Sequence, residues 1–472
     1  MRSRKSTWLL RITAWVAVWG GIACGSDDSG PRPDASLPQQ EAGASAGSAV
    51  PPSVAGAGSP SAPRAGTGGV SGRAPTGTAA AGMGAARAGA GGRNPGADDR
   101  DAGPSDAATP EDAAASDAGM GPPSAPGYLR TQGSKIVDSA NRVVRITGIN
   151  WFGMETSNFA PHGLWMRSLA SLLDQIKTLG YNTLRLPYCS QLFDPGSQPN
   201  GIDASKNSDL VGISGLGLMD KIVMGAKSRG LKVILDRHRP DSNMQSELWY
   251  TSAYSEQRLI DDWKMLVQHY KNEPTVIGVD LHNEPHGAAT WGDGNMATDW
   301  RLAAERIGNA VLSVNPNLLI IVEGVEKYQN TPGWWGGNLR GAKAAPVRLS
   351  VANRLVYSAH DYPQSVYAQP WFMAADYPSN LPSVWDDAWG YLVDENIAPV
   401  WVGEFGTKYQ TDADKKWLQA LVGYLKERGF SFAYWSLNPN SGDTGGILQD
   451  DWMTVNQDKQ SILQPALAPL LP

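Results

Sequence analysis

The sequence has little cysteine, no excess of basic charge and no long apolar run. Two cysteines among 472 residues, Cys24 and Cys189, exclude a disulfide framework as the source of stability. Lys and Arg number 40 against 46 Asp and Glu, for a net charge of −6, so there is no basic footprint for a nucleic acid. The apolar run Ile12–Ala23 is too short to be a standard membrane span. No strand-like run is followed by Gly-x-Gly-x-x-Gly, which argues against a dinucleotide-binding sheet. Between Gly25 and Pro126 there is no Phe, Trp or Tyr, and Leu37 is the only leucine. Such a segment cannot bury enough apolar surface to offset the entropy of ordering it.

What is present divides the chain into three. Arg2, Arg4 and Lys5 precede the run Ile12–Ala23, which reads as an export signal over residues 1–24. Cys24 stands where a lipoprotein signal would be cleaved and lipidated, although Gly21 replaces the usual leucine. This reading is preferred to plain secretion, because a tether follows directly. Residues 25–127 form an expected disordered Ala/Gly/Ser/Pro-rich linker, with an r.m.s. span of about 55 Å. The remainder, 128–472, suits one α/β barrel and holds all but three of the 18 tryptophans. Flat indole faces suit stacking on sugar rings, while plain packing accounts for most of them.

Within 128–472, apolar runs alternate with amphipathic segments. Leu129–Val144 reads as a hairpin capping the barrel floor. The expected strands are Val144–Asn150, Thr183–Pro187, Lys232–Asp236, Val276–Leu281, Leu318–Val322, Leu355–Ala359, Val400–Gly403 and Phe432–Ser436. Helical spacing appears in Ser168–Leu179, Leu216–Arg229, Ser255–Tyr270, Thr298–Val314, Ser383–Asn396 and Asp412–Arg428. The fifth crossover, Trp334–Val347, is loop-like. Eight alternating units imply a (β/α)8 TIM barrel, whose active site lies at the C-terminal strand ends.

Those ends carry polar residues. Glu284 closes the fourth strand in Leu281-His282-Asn283-Glu284-Pro285, and Glu404 closes the seventh in Trp401-Val402-Gly403-Glu404-Phe405-Gly406. Two carboxyls facing across a bond can hydrolyse a glycoside, one protonating the leaving oxygen and the other attacking or activating water. Other strand ends supply Arg185, His238, His360, Tyr362 and Trp435. No pair of histidines has metal-site spacing, so no catalytic metal and no cofactor are expected. Cys189 has no histidine arrangement around it and reads as a packed thiol.

The ordered motifs make the resemblance specific. Gly148-Ile149-Asn150-Trp151-Phe152-Gly153, Asp236-Arg237-His238-Arg239-Pro240, His282-Asn283-Glu284-Pro285-His286 and Ser441-Gly442-Asp443-Thr444-Gly445-Gly446-Ile447-Leu448 resemble glycoside hydrolase family 5, particularly its subfamily 1 bacterial endoglucanases. The resemblance implies a retaining endo-β-1,4-glucanase, with Glu404 as nucleophile and Glu284 as acid/base. Arg185 and Tyr362 would hold the charge of Glu404, and Asn283 would bond the sugar 2-hydroxyl. Trp435 would floor the subsite, and His238 and His360 would orient carboxylates and hydroxyls. Glu284 is expected to have only Asn283 beside it and a negative charge opposite. Trp151 and Trp249 are the preferred candidates for further subsites, ahead of Trp291, Trp334 and Trp335. Of His282 and His286, one is expected to be structural.

The chain departs from the subfamily at Thr156-Ser157-Asn158, Asp241-Ser242-Asn243 and Trp291-Gly292-Asp293, where relatives often carry cysteines. Leu437 replaces a common second aromatic. The expected partner is β-glucan, bound by a monomer, with a membrane contact only through a lipid on Cys24. β-Mannan, xyloglucan and mixed-linkage glucan remain alternatives for the same mechanism. A non-catalytic surface sugar-binding lipoprotein is the alternative of another class.

Overall fold

The computed structural model describes residues 124–472. The expected export signal, Cys24 and the expected linker before Ser124 lie outside the described residues. Eight parallel strands form a closed barrel in which each pairs with its neighbours in sequence. They are β1 (Thr147–Asn150), β2 (Thr183–Cys189), β3 (Lys232–Arg239), β4 (Val276–Asp280), β5 (Leu319–Glu323), β6 (Leu355–His360), β7 (Val400–Glu404) and β8 (Ser431–Tyr434). All eight expected strands are present, and β2, β3, β5, β6 and β7 run further toward the rim than their apolar residues suggest.

Successive side chains alternate between two environments. Leu184, Leu186, Val233, Leu235, Ile320, Val322 and Val402 join the large core between strands and helices. Ile234, Ile277, Leu319, Ile321, Val356, Trp401 and Ala433 form a second, inner cluster. That cluster is closed below by Leu129 and Ile136 and by Leu471 near the chain end. Ile136 belongs to, and Leu129 directly precedes, a small antiparallel sheet of Arg130–Gln132, Lys135–Val137 and Val143–Val144, the expected floor hairpin with one more strand. Ser124 is already packed, its hydroxyl donating to the Tyr128 carbonyl at 3.1 Å.

The outer layer contains α1 (Leu169–Thr178), α2 (Gly215–Lys227), α3 (Glu256–His269) and α4 (Trp300–Val314), capped by Ser168, Ser214, Ser255 and Asp299. Gly180 and Gly230 follow α1 and α2 at positive φ, as left-handed caps require. No helix fills the fifth crossover; a short hairpin of Lys327–Tyr328 and Thr331–Pro332 and a series of turns stand there. The expected helix Ser383–Asn396 is interrupted. It is α5 (Leu381–Trp385), a widened π turn at Asp386–Gly390, and α6 (Tyr391–Asp394). Tyr424 accounts for the widening: its hydroxyl donates to Asp386 at 2.6 Å, and it crowds Gly390 so closely that a Cβ there would lie 2.1 Å away. Tyr424 belongs to α7 (Asp412–Glu427). A last helix, α8 (Gln457–Leu463), follows β8 and was not foreseen, because its seven residues are too few to show a period. Among the described residues no helix is long and apolar enough to cross a membrane.

Candidate active site

Above the inner apolar cluster, the inward positions turn polar. Arg185 of β2 is wholly buried at their centre. It donates to Glu404 Oε1 at 2.5 Å, Asp280 Oδ2 at 3.0 Å, Asn283 Oδ1 at 2.9 Å, Asn150 Oδ1 at 3.0 Å and Glu323 Oε1 at 3.2 Å, and lies 3.1 Å from Asp236 Oδ2. A buried guanidinium is tolerable only with such complete pairing. Burial pushes the carboxyls up against the pull of Arg185: Asp236 to about 8, Asp280 to about 7 and Glu323 to about 7.

Strict alternation would turn Glu404 outward with Val402. The structure avoids this by a register shift: Ala359 faces Val402, but His360 faces Glu404, leaving Gly403 as an extra residue in β7. The shift swings Glu404 into the barrel. There Tyr362 donates to Glu404 Oε2 at 2.7 Å. A similar shift in β3, where Tyr188 faces Arg237 and Cys189 faces Arg239, leaves His238 as the extra residue. His238 Nδ1 lies 2.7 Å from Asp236 Oδ2, and burial holds the imidazole well below its usual pKa, in the neutral form. Its ring lies parallel to Trp435, with centroids 5.4 Å apart.

Glu284 follows β4 with a φ of 51°, a left-handed backbone that costs a non-glycine residue about 1–2 kcal/mol. His360 Nδ1 stands 2.9 Å from its Oε1, and Gln245 Nε2 donates to its Oε2 at 3.0 Å. The expectation that only Asn283 stands beside Glu284 is thus corrected: His360 from the end of β6 and Gln245 from a loop also reach it. Burial opposes a charge on His360, but the charges of Glu323 and Glu404 and the acceptor oxygens of Glu284 and Glu323 hold its pKa well above the usual value. Asn283 Nδ2 is buried with no hydrogen-bond partner among the described residues, so its donors remain available to a ligand.

The structure brings together Glu284, Glu404, Arg185, His238, Asn283, His360, Tyr362 and Trp435. It does not bring Trp151 or Trp249. Both are fully buried, the indole of Trp151 donating to the His162 carbonyl at 2.9 Å and that of Trp249 to Glu256 at 2.7 Å. A ring enclosed on both faces cannot receive a sugar, so both are corrected to packing residues. Trp291 is also buried, donating to the Ala345 carbonyl. Trp335 is partly exposed and stacks on His286 at 3.7 Å. His282 is the structural histidine: it lies 2.9 Å from Arg237 Nη1 and edge-on to Trp300, away from the site.

Asp236, Asp280, Glu323 and Gln245 were not singled out from sequence. Period-two counting from Arg185 and its register partners finds Asp236 and Asp280. Glu323 ends β5 one residue past the expected strand. Gln245 lies on a loop, and no sequence signal marks it. Ligand atoms of Asp236, His238 and Glu404, and likewise of Glu284, His360 and Glu404, lie within 4.8 Å of one another, close enough to hold a cation. Arg185 already supplies positive charge to the first group, and His360 supplies it to the second. Cys189 is a buried thiol pushed up to about 12 by burial, in keeping with a packing role.

The chain matches the model of the family Cellulase (glycosyl hydrolase family 5) over residues 137–441. It is 57% identical over 350 residues to an endoglucanase of Paenibacillus polymyxa, covering 73% of this chain and 88% of that one. It is 44% identical over 344 residues to the major extracellular endoglucanase of Xanthomonas campestris pv. campestris, covering 71% and 70%. A cellotetraose complex of a Pyrococcus horikoshii endocellulase variant superposes with a TM-score of 0.69 at 42% identity, covering 73% of this chain and all of that one. With its barrel, its paired carboxylates and these likenesses, the chain belongs to glycosyl hydrolase family 5, the cellulases.

Proposed function

We propose that this enzyme is an endo-β-1,4-glucanase that cleaves with retention, Glu404 serving as nucleophile and Glu284 as acid/base. The observation that carries the reading is the separation of the two carboxyls, whose oxygens approach within 4.8 Å. Retaining enzymes keep their carboxyls about 5–5.5 Å apart, and inverting enzymes about 6.5–9.5 Å. A carboxylate oxygen of Glu404 attacks the anomeric carbon, the glycosidic bond breaks, and the leaving oxygen takes the proton of Glu284. Glu284, now ionised, removes a proton from water, which attacks the same carbon and releases Glu404 as carboxylate. Arg185 and Tyr362 hold Glu404 charged and aimed, and Asn283 has donors free for the sugar 2-hydroxyl. Trp435 and His238 offer parallel rings beside the pair. Assay of Glu404→Ala with and without azide tests the roles: a glycosyl azide of inverted configuration supports them, and full activity in the variant overturns them.

The substrate is β-1,4-glucan, bound by a monomer. Endoglucanase activity in relatives that share most of the barrel supports this. Initial rates on carboxymethyl cellulose, mixed-linkage glucan, xyloglucan and galactomannan test it, and preference for mannan would overturn it. The intact ring of partners around both carboxyls weighs against a non-catalytic sugar-binding protein. Residues 1–24 are read as an export signal with lipidation at Cys24, 25–127 as a linker and 128–472 as the catalytic domain. The relative named as extracellular supports export. Mass spectrometry of the mature N-terminus checks the lipid.

A further inference from the structure

One carboxylate serves the site without facing the cleft. Glu323, at the end of β5, is wholly buried. Its Oε2 accepts the backbone N–H of Glu284 at 2.7 Å. Its Oε1 accepts from Arg185 Nη2 at 3.2 Å and lies 3.3 Å from His360 Nε2. The same side chain therefore touches the backbone of one paired glutamate, the imidazole that contacts its carboxyl and the guanidinium that holds the other. The N–H it accepts belongs to a residue held at a φ of 51°. Strain of that kind persists only where the surroundings over-determine it. Room for the contact is made by Gly336, also at positive φ, where a Cβ would lie 2.4 Å from Glu323 Oε2 and 3.3 Å from Glu284 Cγ. A hydrogen bond from a buried amide to a carboxylate is among the stronger ones.

From this geometry we infer that Glu323 is a positioning residue for the acid/base, fixing Glu284 through its backbone so that its carboxyl reaches the leaving oxygen. The inference rests on the acid/base reading of Glu284. Glu323 has a donor on each oxygen and His360 Nε2 beside Oε1, so Glu323→Gln must set its amide against at least one of the donors. The displaced partner on this reading is the Glu284 N–H, and the loss falls on proton delivery. A leaving group that departs without a proton is then spared.

The test compares kcat/KM, which reports glycosylation, for cellopentaose and for dinitrophenyl β-cellobioside in the parent, Glu323→Gln and Glu284→Ala. Glu323→Gln is expected to lose about 10²-fold on cellopentaose, as for a misplacement near 1 Å, with little loss on the dinitrophenyl substrate. Equal loss on both substrates, with Glu284→Ala still leaving-group-dependent, overturns the inference and leaves the acid/base reading standing. Equal loss on both in Glu284→Ala overturns that reading itself. If the Gln variant does not fold, Glu323→Asp replaces it; it keeps the charge facing Arg185 and His360 but is one methylene short of the amide. The same leaving-group dependence is expected, and its absence overturns the inference.

Discussion

Gly403 and Ser358 meet across β7 and β6 so closely that a Cβ on residue 403 would lie 2.6 Å from the serine hydroxyl. The extra residue that turns Glu404 into the barrel thus fits only as glycine. Gly403→Ala is expected to destabilise the barrel by about 1–3 kcal/mol, as overpacking does. It should also lower kcat more than it raises KM, because the nucleophile is displaced and not the subsites. Thermal melting and steady-state kinetics check this; unchanged kcat would mean that the register shift does not aim Glu404.

Tyr362→Phe removes the hydroxyl that donates to Glu404 Oε2. A hydrogen bond to a charged group contributes about 1.5–3 kcal/mol, so kcat/KM should fall by roughly 10- to 100-fold. The barrel should melt at nearly the parent temperature, since the phenyl ring still fills its place. An unchanged rate constant for glycosylation would remove Tyr362 from the site's charge balance.

Asp236 gives a pH prediction. Its folded pKa, pushed up to about 8 by burial, exceeds the ordinary carboxyl value. The folded state therefore binds this proton more tightly than the unfolded state, and the associated stability is complete below the ordinary value and lost as pH rises to about 8. Asp236→Asn removes that dependence while retaining an oxygen for Arg185 and His238. Between pH 4 and pH 8 the melting temperature of the variant is expected to fall less steeply than that of the parent. Parallel curves would show that Asp236 is ionised throughout.

The buried and the exposed tryptophans should separate in kinetics. Trp249→Ala is expected to cost about 3–5 kcal/mol of stability with KM for cellopentaose retained in whatever fraction folds. Trp335→Ala, at a partly exposed ring stacked on His286, should leave the melting temperature nearly unchanged and raise KM. The reverse pattern would restore Trp249 as a sugar platform.

Much of this site could be read from the chain because parallel strands announce themselves twice. Runs such as Val276–Asp280 are apolar on both faces, and the polar residue ending each run marks the rim. Arg185, Glu284 and Glu404 were legible for that reason. Trp151 and Trp249 were misplaced because a rim loop can fold its indole inward once the N–H finds an acceptor such as the His162 carbonyl, and no local pattern reports that acceptor. Glu323 escaped notice because its partners come from β2, β4 and β6, far apart in sequence. The widened turn at Asp386–Gly390 depends on Tyr424, which the segment itself does not contain.

The floor of the barrel lies apart from the chemistry. Gly127 accepts from Lys232 Nζ at 3.0 Å, and Lys232 opens β3 at the end opposite His238. The polypeptide therefore enters the barrel at the pole facing away from the cleft. A change at this floor contact acts a full strand length from the carboxyl pair, on melting before turnover.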